Sequence, residues 1–256
     1  MAVNRSYTKD YDLGGGELFI KLPNSNNFEY FGTTNEVKIN TNVDKLEHKN
    51  SESETLTTDL EIVKEVSATV SFTTEDLSKK VLALAFGGNY EDVSQVAGSA
   101  TDQEFDAVEG GKVYDLGKVK VSNVAVTYDD GNGNAVTATE DVDYSVNYNF
   151  GKIEIANDSV LVGKNIKVSY DYADATYTDV SALNDVSKEV ALKFLSNPQV
   201  GKGKETTIHR VVLTMSGDYN LKSIEKFNSV NFSGKILKDG SKPNGKQFFE
   251  TRLVGA

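Results

Sequence analysis

Residues 59–73 alternate between two kinds of side chain, and this pattern constrains the fold more than any other stretch. The even positions are mostly apolar: Leu60, Ile62, Lys64, Val66, Ala68, Val70 and Phe72. The odd positions are mostly acidic or hydroxylic: Asp59, Glu61, Val63, Glu65, Ser67, Thr69, Ser71 and Thr73. Because successive side chains of a strand point to opposite faces, the alternation predicts one long, half-buried antiparallel strand. A typical strand has about 5–6 residues, so this one is expected to bend across a sandwich or to line something large.

The remaining chain is also predicted to be mainly β. Short apolar runs bounded by turn residues predict strands at 17–22, 35–41, 118–128, 143–148, 152–156, 165–172, 188–195, 207–215, 231–237 and 247–254. The alternation changes phase between Val121 and Val124, which predicts a β-bulge. Residues 73–88 break the β pattern, with threonines and two acids, then an apolar stripe, then two glycines. This order predicts one amphipathic helix lying across a sheet.

Two segments lack either pattern. Residues 41–58 are charged and poor in apolar side chains, and residues 89–110 are acidic with small residues, so both are predicted to be loops or arms. Residues 118–172 instead hold short strands and glycine-bearing turns, beginning with a hairpin turn at 130–133. The sequence therefore predicts a small inserted β-unit at 118–172, within a larger β-domain made of 1–117 and 173–256.

Composition narrows the possible functions. The 256 residues suffice for one large β-domain or two smaller ones. Cysteine is absent and there are two histidines, which argues against disulfides, a cysteine nucleophile or a zinc site. The formal charge of −11 disfavours tight binding to nucleic acid or to anionic membranes. With no signal-like apolar stretch at the start and no run of about 18 apolar residues, we expect a soluble protein without membrane partners.

The charge is unevenly distributed along the chain. Residues 1–110 hold 9 Lys/Arg against 20 Asp/Glu, residues 111–180 hold 6 against 11, and residues 181–256 hold 12 against 7. Ordinary solvated surface explains such a distribution. It is also compatible with an acidic face of one copy meeting a basic face of a neighbouring copy, in a head-to-tail arrangement that makes rings or filaments.

One segment imitates a calcium-binding loop. Asp130, Asn132 and Asn134 alternate with glycines, and Asp141 stands at the twelfth position. However, Ala135 occupies the position that needs glycine, an aspartate replaces the bidentate glutamate, and no helical pattern flanks the segment. A hairpin turn is therefore favoured over a metal site.

Other candidate motifs are equally weak. Gly14–Gly16 precedes a strand, not a helix, which favours a flexible arm over a phosphate cradle. His209 has no evident Ser, Asp or Glu partner at motif spacing, and His48 lies in the polar segment 41–58, so structural roles are favoured for both. A glycosidase-type pair of carboxylates remains open, because acids are abundant. No enzyme motif stands out, and we expect no catalytic residue, cofactor or metal.

The order of features resembles the major tail tube proteins of long-tailed bacteriophages. The resemblance begins with "FEYFGTTNEVKIN", the polar segment "TNVDKLEHKNSESETLTT" and the long strand "DLEIVKEVSATVSFTTEDLS", followed by the helix. It continues in "VALKFLSNPQVGKGKETTIHRVVLTMSGDYNLKSIEKFNSVNFSGKILKD". The block at 118–172 is similar to a small insertion that some of these proteins carry. The resemblance implies a β-sandwich or barrel of the tail tube type, with one flanking α-helix and a small inserted β-unit.

The same resemblance implies a structural virion protein and no enzyme. Six copies would close a ring, and rings would stack into a tube with an acidic-lined channel for genome passage. The lumen-facing residues would be Glu61, Glu65, Ser67, Thr69 and Ser71. The ring-stacking residues would be Asp44, Leu46, Glu47, Glu52, Glu54 and Leu56, in a loop that orders only on assembly. The acids of this loop would meet basic positions of the C-terminal segment, such as Lys202, Lys204, Lys235 and Lys238.

The resemblance to tail tube proteins also implies the partners and the location of the protein. The partners would be copies of the chain itself, neighbouring tail proteins such as the tape measure and terminator proteins, and phage DNA passing without specific binding. The protein would be assembled in the host cytoplasm and located in the virion tail, with the inserted unit on the outer surface of the tube. The alternative is an extracellular β-rich surface or adhesin module.

Overall fold

The protein is mainly β, as predicted. The structure, a computed structural model, describes residues 11–23, 25–51 and 55–255. Its elements in chain order are β1 (Leu13–Lys21), β2 (Glu29–Tyr30), β3 (Thr34–Asn50), β4 (Thr57–Thr74), α1 (Lys79–Ala85), β5 (Tyr90–Gln95), β6 (Gly98–Phe105), β7 (Val113–Asp115), β8 (Val121–Asp129), β9 (Ala135–Thr137), β10 (Tyr144–Asn147), β11 (Lys152–Ile155), β12 (Ile166–Tyr172), β13 (Ala175–Val180), β14 (Glu189–Val200), β15 (Gly203–Met215), β16 (Val230–Ile236) and β17 (Phe249–Val254).

The chain divides into two compact units. Unit 1 comprises Met1–Tyr90 and Val180–Ala256, and unit 2 comprises Glu91–Asp179. The predicted insert at 118–172 lies inside unit 2, which starts earlier and ends later. The sequence of unit 2 holds 6 lysines against 17 acids, whereas unit 1 holds 21 basic and 21 acidic residues. The charges of the acidic N-terminal segment and of the basic C-terminal segment therefore cancel within unit 1. The net charge of −11 comes from unit 2.

Unit 1 is built on one sheet with the order β2-β1-β14-β15-β16-β4-β3, in which β17 also pairs with β15. The sheet wraps around a core to which distant strands contribute, including Leu18 of β1, Val70 of β4 and Leu192 of β14. At its centre Phe31 contacts Phe72 and Phe232 edge-on, with ring centroids 5.2 and 5.7 Å apart. Such aromatic contacts and complete burial supply most of the stabilisation of a core of this kind.

The predicted helix exists but is shorter than 73–88. Thr74 does not cap it, because the Thr74 hydroxyl donates to the carbonyl of Thr33 at 2.8 Å and accepts from the N–H of Asp76 at 3.1 Å. These bonds end β4 instead, and α1 begins only at Lys79 after Ser78. Its buried side chains include Val81 and Leu84, which join the core of unit 1.

Gly14–Gly16 belongs to β1, so the prediction of a flexible arm is wrong. A Cβ on Gly14 would lie 2.5 Å from the carbonyl oxygen of Asn197, whereas one on Gly15 would meet nothing within 4 Å. β1 and β14 therefore approach more closely at Gly14 than a side chain permits. The glycine allows close packing of two backbones and does not act as a hinge.

Unit 2 has its own core between two small sheets, ordered β6-β12-β8-β9 and β10-β11-β7. Val126, Ile153, Ile155 and Val168 are completely buried in it. The bulge predicted between Val121 and Val124 is confirmed: Ser169 is paired with Ala125 and Asp171 with Ser122, so two residues of β8 oppose Tyr170. The hairpin turn after β8 is also confirmed, with the N–H of Asp130 donating to the carbonyl of Asn134 at 3.1 Å.

The prediction of a loop or arm at 89–110 is wrong, because β5 and β6 lie there. β6 pairs with β12, from Phe105 opposite Ile166 to Gly98 opposite Tyr172. Its sequence "GSATDQEF" has few apolar side chains, and the two largest, Ala100 and Phe105, are only partly buried against the core of unit 2. Main-chain pairing with β12 places this strand, and apolar periodicity does not register such pairing.

Candidate assembly surface

The β3–β4 hairpin is the candidate functional surface. The alternation at 59–73 is confirmed as strand, since β4 covers Thr57–Thr74. The prediction that residues 41–58 form a loop is wrong, because β3 continues to Asn50 and pairs with β4 along its length. Cross-strand pairs such as Val43 with Val66 and Leu46 with Ile62 give this ladder contacts that a single-strand pattern does not reveal. Glu52 and Glu54, two of the predicted stacking residues, lie outside the described residues.

The half of β4 nearest the core has one buried face and one polar face. Ala68, Val70 and Phe72 are buried in unit 1. Ser67, Thr69 and Ser71 alternate with them and therefore lie on the opposite face. Glu65 shares this polar face, because its carboxylate pairs at 3.4 Å with Lys235, which lies opposite Thr69 on β16. Four of the five predicted lumen residues are thus together.

The fifth, Glu61, lies on the other face. Asp44 is paired with Glu65 but Lys45 is paired with Val63, so Lys64 is an extra residue on β4. Such a β-bulge shifts the register by one residue and exchanges the faces beyond it. The ion pairs agree with this: Lys45 Nζ lies 2.5 Å from Glu61 Oε1, whereas Asp44 pairs with Lys64 at 3.6 Å.

Next to the bulge and beyond it, the hairpin carries apolar side chains that remain about half exposed in the described chain. Their exposed fractions lie between 45% and 68%, and they are Val43, Leu46, Leu56, Leu60, Ile62, Val63 and Val66. A soluble protein rarely exposes so many large apolar groups on one element unless it has a partner. Sequence reasoning assigned Leu60, Ile62 and Val66 to a buried face. In the sequence, the apolar Val63 stands among the polar positions and the charged Lys64 among the apolar ones. This interruption indicates that the alternation of β4 changes phase here.

Polar contacts hold this hairpin together without enclosing it. His48 Nδ1 lies 2.6 Å from Asp59 Oδ1, and the hydroxyl of Thr58 donates to Glu47 at 3.4 Å. The hydrogen bond and charge of Glu61 raise the pKa of Lys45 above its usual value. All of these groups are exposed, so their individual contributions to stability are small. They fix the register of the ladder more than they stabilise the fold.

The outer edge of β3 is a second property of this surface. Among the described strands β3 ends the order of the sheet, so its outer edge bonds to no other strand. An open edge of a 17-residue strand is a template for pairing with another chain. Charged side chains along it, including Glu36, Lys38 and Lys49, are the usual means of limiting unspecific pairing.

The predicted basic partners of the stacking residues have contacts within the same chain. Lys235 pairs with Glu65, and Lys204 forms an ion pair with Asp12. Asp44 is likewise paired with Lys64. The acids of the hairpin and the lysines of β15 and β16 are therefore largely neutralised locally. Apolar exposure distinguishes the hairpin more than its charge does.

In the described ranges, no group of three or more His, Asp or Glu side chains could hold a metal ion. His209 lies on β15 with a buried Nε2 that has no hydrogen-bond partner among the described residues. No helix of the described chain is long and apolar enough to cross a membrane.

Comparison with known proteins adds a family but no activity. A search of curated proteins found no match to the chain. A family model described as "protein of unknown function UCP028589" matches residues 11–251, which spans both units. The chain belongs to this family of uncharacterised proteins.

Proposed function

We propose that the protein is the major subunit of a bacteriophage tail tube, in which rings of six copies stack around a channel for the genome. The observation that carries the proposal is the β3–β4 hairpin. It exposes Leu46, Leu60 and Ile62 on an ordered ladder and leaves the edge of β3 unpaired in the described chain. The mainly β fold and the order of its features support the same reading, since they are similar to those of tail tube proteins.

A copy of the same chain is the simplest partner for such a hairpin. An open strand edge and an apolar surface on one subunit give a head-to-tail contact, which closes into a ring when the rotation between copies permits. The end of the β3–β4 hairpin farthest from the core of unit 1, which we call the distal hairpin (residues 44–50 and 55–64), would supply contacts between stacked rings. These contacts would involve Asp44, Leu46, Glu47 and Leu56. Neighbouring tail proteins, such as the tape measure and terminator proteins, would meet the ends of the tube.

The channel in this proposal is lined by the polar face of β4. Glu65, Ser67, Thr69 and Ser71 share that face, whereas the register places Glu61 on the other side of the hairpin. An acidic or neutral lining suits a conduit, because cationic contacts would hold duplex DNA with a strong dependence on salt. Passage of the genome requires weak, uniform interaction.

Negative-stain electron microscopy of the purified full chain tests the proposal. Rings or stacked tubes, appearing as the protein concentration is raised, are expected. A protein that remains monomeric at all concentrations contradicts the proposal. It would favour the second candidate, an extracellular surface or adhesin module, which the compact and strongly acidic unit 2 supports.

A further inference from the structure

The connection between β15 and β16 exposes the least covered apolar side chains of the described chain. Leu221, Ile224 and Phe227 are 88%, 89% and 85% exposed. They lie in residues 216–229, which we name the β15–β16 loop and which contain no strand or helix. Exposed apolar groups occur singly on most surfaces, but three large ones within residues 221–227 indicate a binding surface.

The loop is held in place at its base. The N–H of Ser216 donates to the carbonyl of Asn231 at 2.8 Å, and Tyr219 packs edge-on against Phe86 with ring centroids 5.4 Å apart. Further along, the hydroxyl of Ser223 donates to the carbonyl of Lys226 at 2.6 Å, which closes a local turn. The three apolar side chains are thus presented outward from a fixed base.

An apolar groove lies beside that base on the same unit. Its volume is about 390 Å³, and its lining includes Leu84, Phe86, Leu183, Val186, Leu213 and Met215. The groove is preformed, because backbone hydrogen bonds fix the segment that carries Leu183. The N–H of Leu183 donates to the carbonyl of Phe86 at 2.9 Å, and the N–H of Asp185 donates to the carbonyl of Gly87 at 2.8 Å. Its size suits a few apolar side chains, not a folded element.

Within one chain, the apolar side chains of the β15–β16 loop do not fill the groove. Phe86 lines the groove and also anchors the base of the loop through Tyr219, yet the side chains at 221, 224 and 227 remain almost fully exposed. We infer that the groove of each copy receives the apolar side chains of the β15–β16 loop of a second copy. One loop and one groove per copy is the requirement for a repeating contact that can close into a ring.

The extent of the contact indicates that it is one part of a larger interface. A buried aromatic side chain covers about 150–250 Å², and a stable interface buries about 800 Å² on each partner. Three side chains in one groove fall short of that area, so the contact needs the additional area of the hairpin surface. In this respect the inference rests on the proposed function, in which copies meet over several surfaces.

Cysteine crosslinking tests the inference cleanly, because the chain contains no cysteine. Three variants, Leu221→Cys, Ile224→Cys and Phe227→Cys, are each mixed with a Val186→Cys variant that carries a mass tag, and the mixture is oxidised mildly. A disulfide requires Cα atoms within about 7 Å, so it reports this contact and no distant one. At least one loop variant should form the tagged heterodimer about 10³-fold faster than a matched Val96→Cys control, because binding raises the effective concentration from about micromolar to about millimolar.

A second variant, carrying Leu221→Ser, Ile224→Ser and Phe227→Ser, is expected to keep the circular dichroism spectrum of the wild type and to lose assembly. Tubes that form without any tagged heterodimer, or tubes formed by the triple serine variant, overturn the inference and leave the proposed function standing. Heterodimers without rings support the inference and count against the tail tube. A monomer that gives no crosslink overturns both. A disulfide within one chain carrying Val186→Cys and Phe227→Cys shows that the loop covers its own groove, and also overturns the inference.

Discussion

Glu61 and Glu65, both on β4, lie on opposite faces of the β3–β4 hairpin. Glu65 shares its face with Asp44 and pairs with Lys235 of β16, whereas Glu61 pairs with Lys45. The extra residue Lys64 between them causes this separation, since a one-residue shift in register turns every later side chain to the other face. Glu61 and Glu65 therefore have different surroundings, although both stand at odd positions of the alternation.

This separation predicts different effects of charge reversal on genome passage. In virions assembled with Glu65→Lys, DNA ejection should slow at low salt and recover at high salt, because a ring of cations in the channel would bind phosphates. Glu61→Lys is the matched control and should leave ejection kinetics close to those of the wild type. Equal slowing by both variants would mean that the two side chains share one surface.

The sequence predicted the long strand, most of the other strands and the bulge in β8, because apolar periodicity reports contact with a core. It failed where pairing depends on a partner strand. Residues 41–50 carry few apolar side chains, yet their backbone pairs with β4 across an ion-paired ladder. β6 is likewise defined by hydrogen bonds to β12, and the side-chain pattern contains no information about them.

The candidate surface was predicted in part for the same reason. Alternation alone placed Glu61 with Glu65, and it placed Leu60 and Ile62 in a buried layer. Val63 and Lys64 interrupt both rows, and this interruption is the sequence trace of the bulge. The cluster at Leu221, Ile224 and Phe227 was not singled out, because a loop with apolar residues looks like any irregular segment until its exposure is known.

The close approach of β1 and β14 predicts a pair of contrasting alanine substitutions. Gly14→Ala should lower the free energy of unfolding by about 1–3 kcal/mol, because its Cβ would lie 2.5 Å from a backbone oxygen and force the strands apart. Gly15→Ala, where no atom lies within 4 Å, should have little effect or stabilise slightly. Urea unfolding followed by circular dichroism measures both. Equal losses would show that the glycines act through backbone flexibility.

The turn after β8 predicts a titration. The pKa of Asp130 is lowered to about 2, first because the N–H of Asn132 donates to the carboxylate at 2.7 Å and next because the Asn134 side-chain amide donates to it. A lowered folded pKa means that the turn is stabilised above about pH 4 and loses this stabilisation as the pH falls toward about 2. Asn134→Ala should raise the pKa of Asp130, as followed by carboxyl NMR. A midpoint near 4 in the unmodified protein would contradict the turn geometry.

The exposed apolar side chains of the distal hairpin predict a loss of assembly without loss of fold. The double variant Leu46→Ser and Ile62→Ser should lower the free energy of unfolding by no more than about 1 kcal/mol, because both side chains are largely exposed and lose mainly their mutual cross-strand contact. Tubes should fail to form, as judged by sedimentation and microscopy. The control is Val96→Ser with Val142→Ser, two exposed positions of unit 2, which should assemble normally.

Hydrogen exchange separates the two edges of β3. Because the inner edge pairs with β4 from Thr34 to Asn50, every second amide of β3 should be protected in the free protein. The alternate amides point away from β4 and bond to no described strand, so they should exchange rapidly. On assembly these outward amides should become protected as the open edge gains a partner, while amides of β16, which is paired on both sides, serve as the internal reference. If the outward amides exchange equally fast in tubes and in the free protein, copies do not join through this edge. If all β3 amides exchange rapidly in the free protein, the hairpin orders only on assembly.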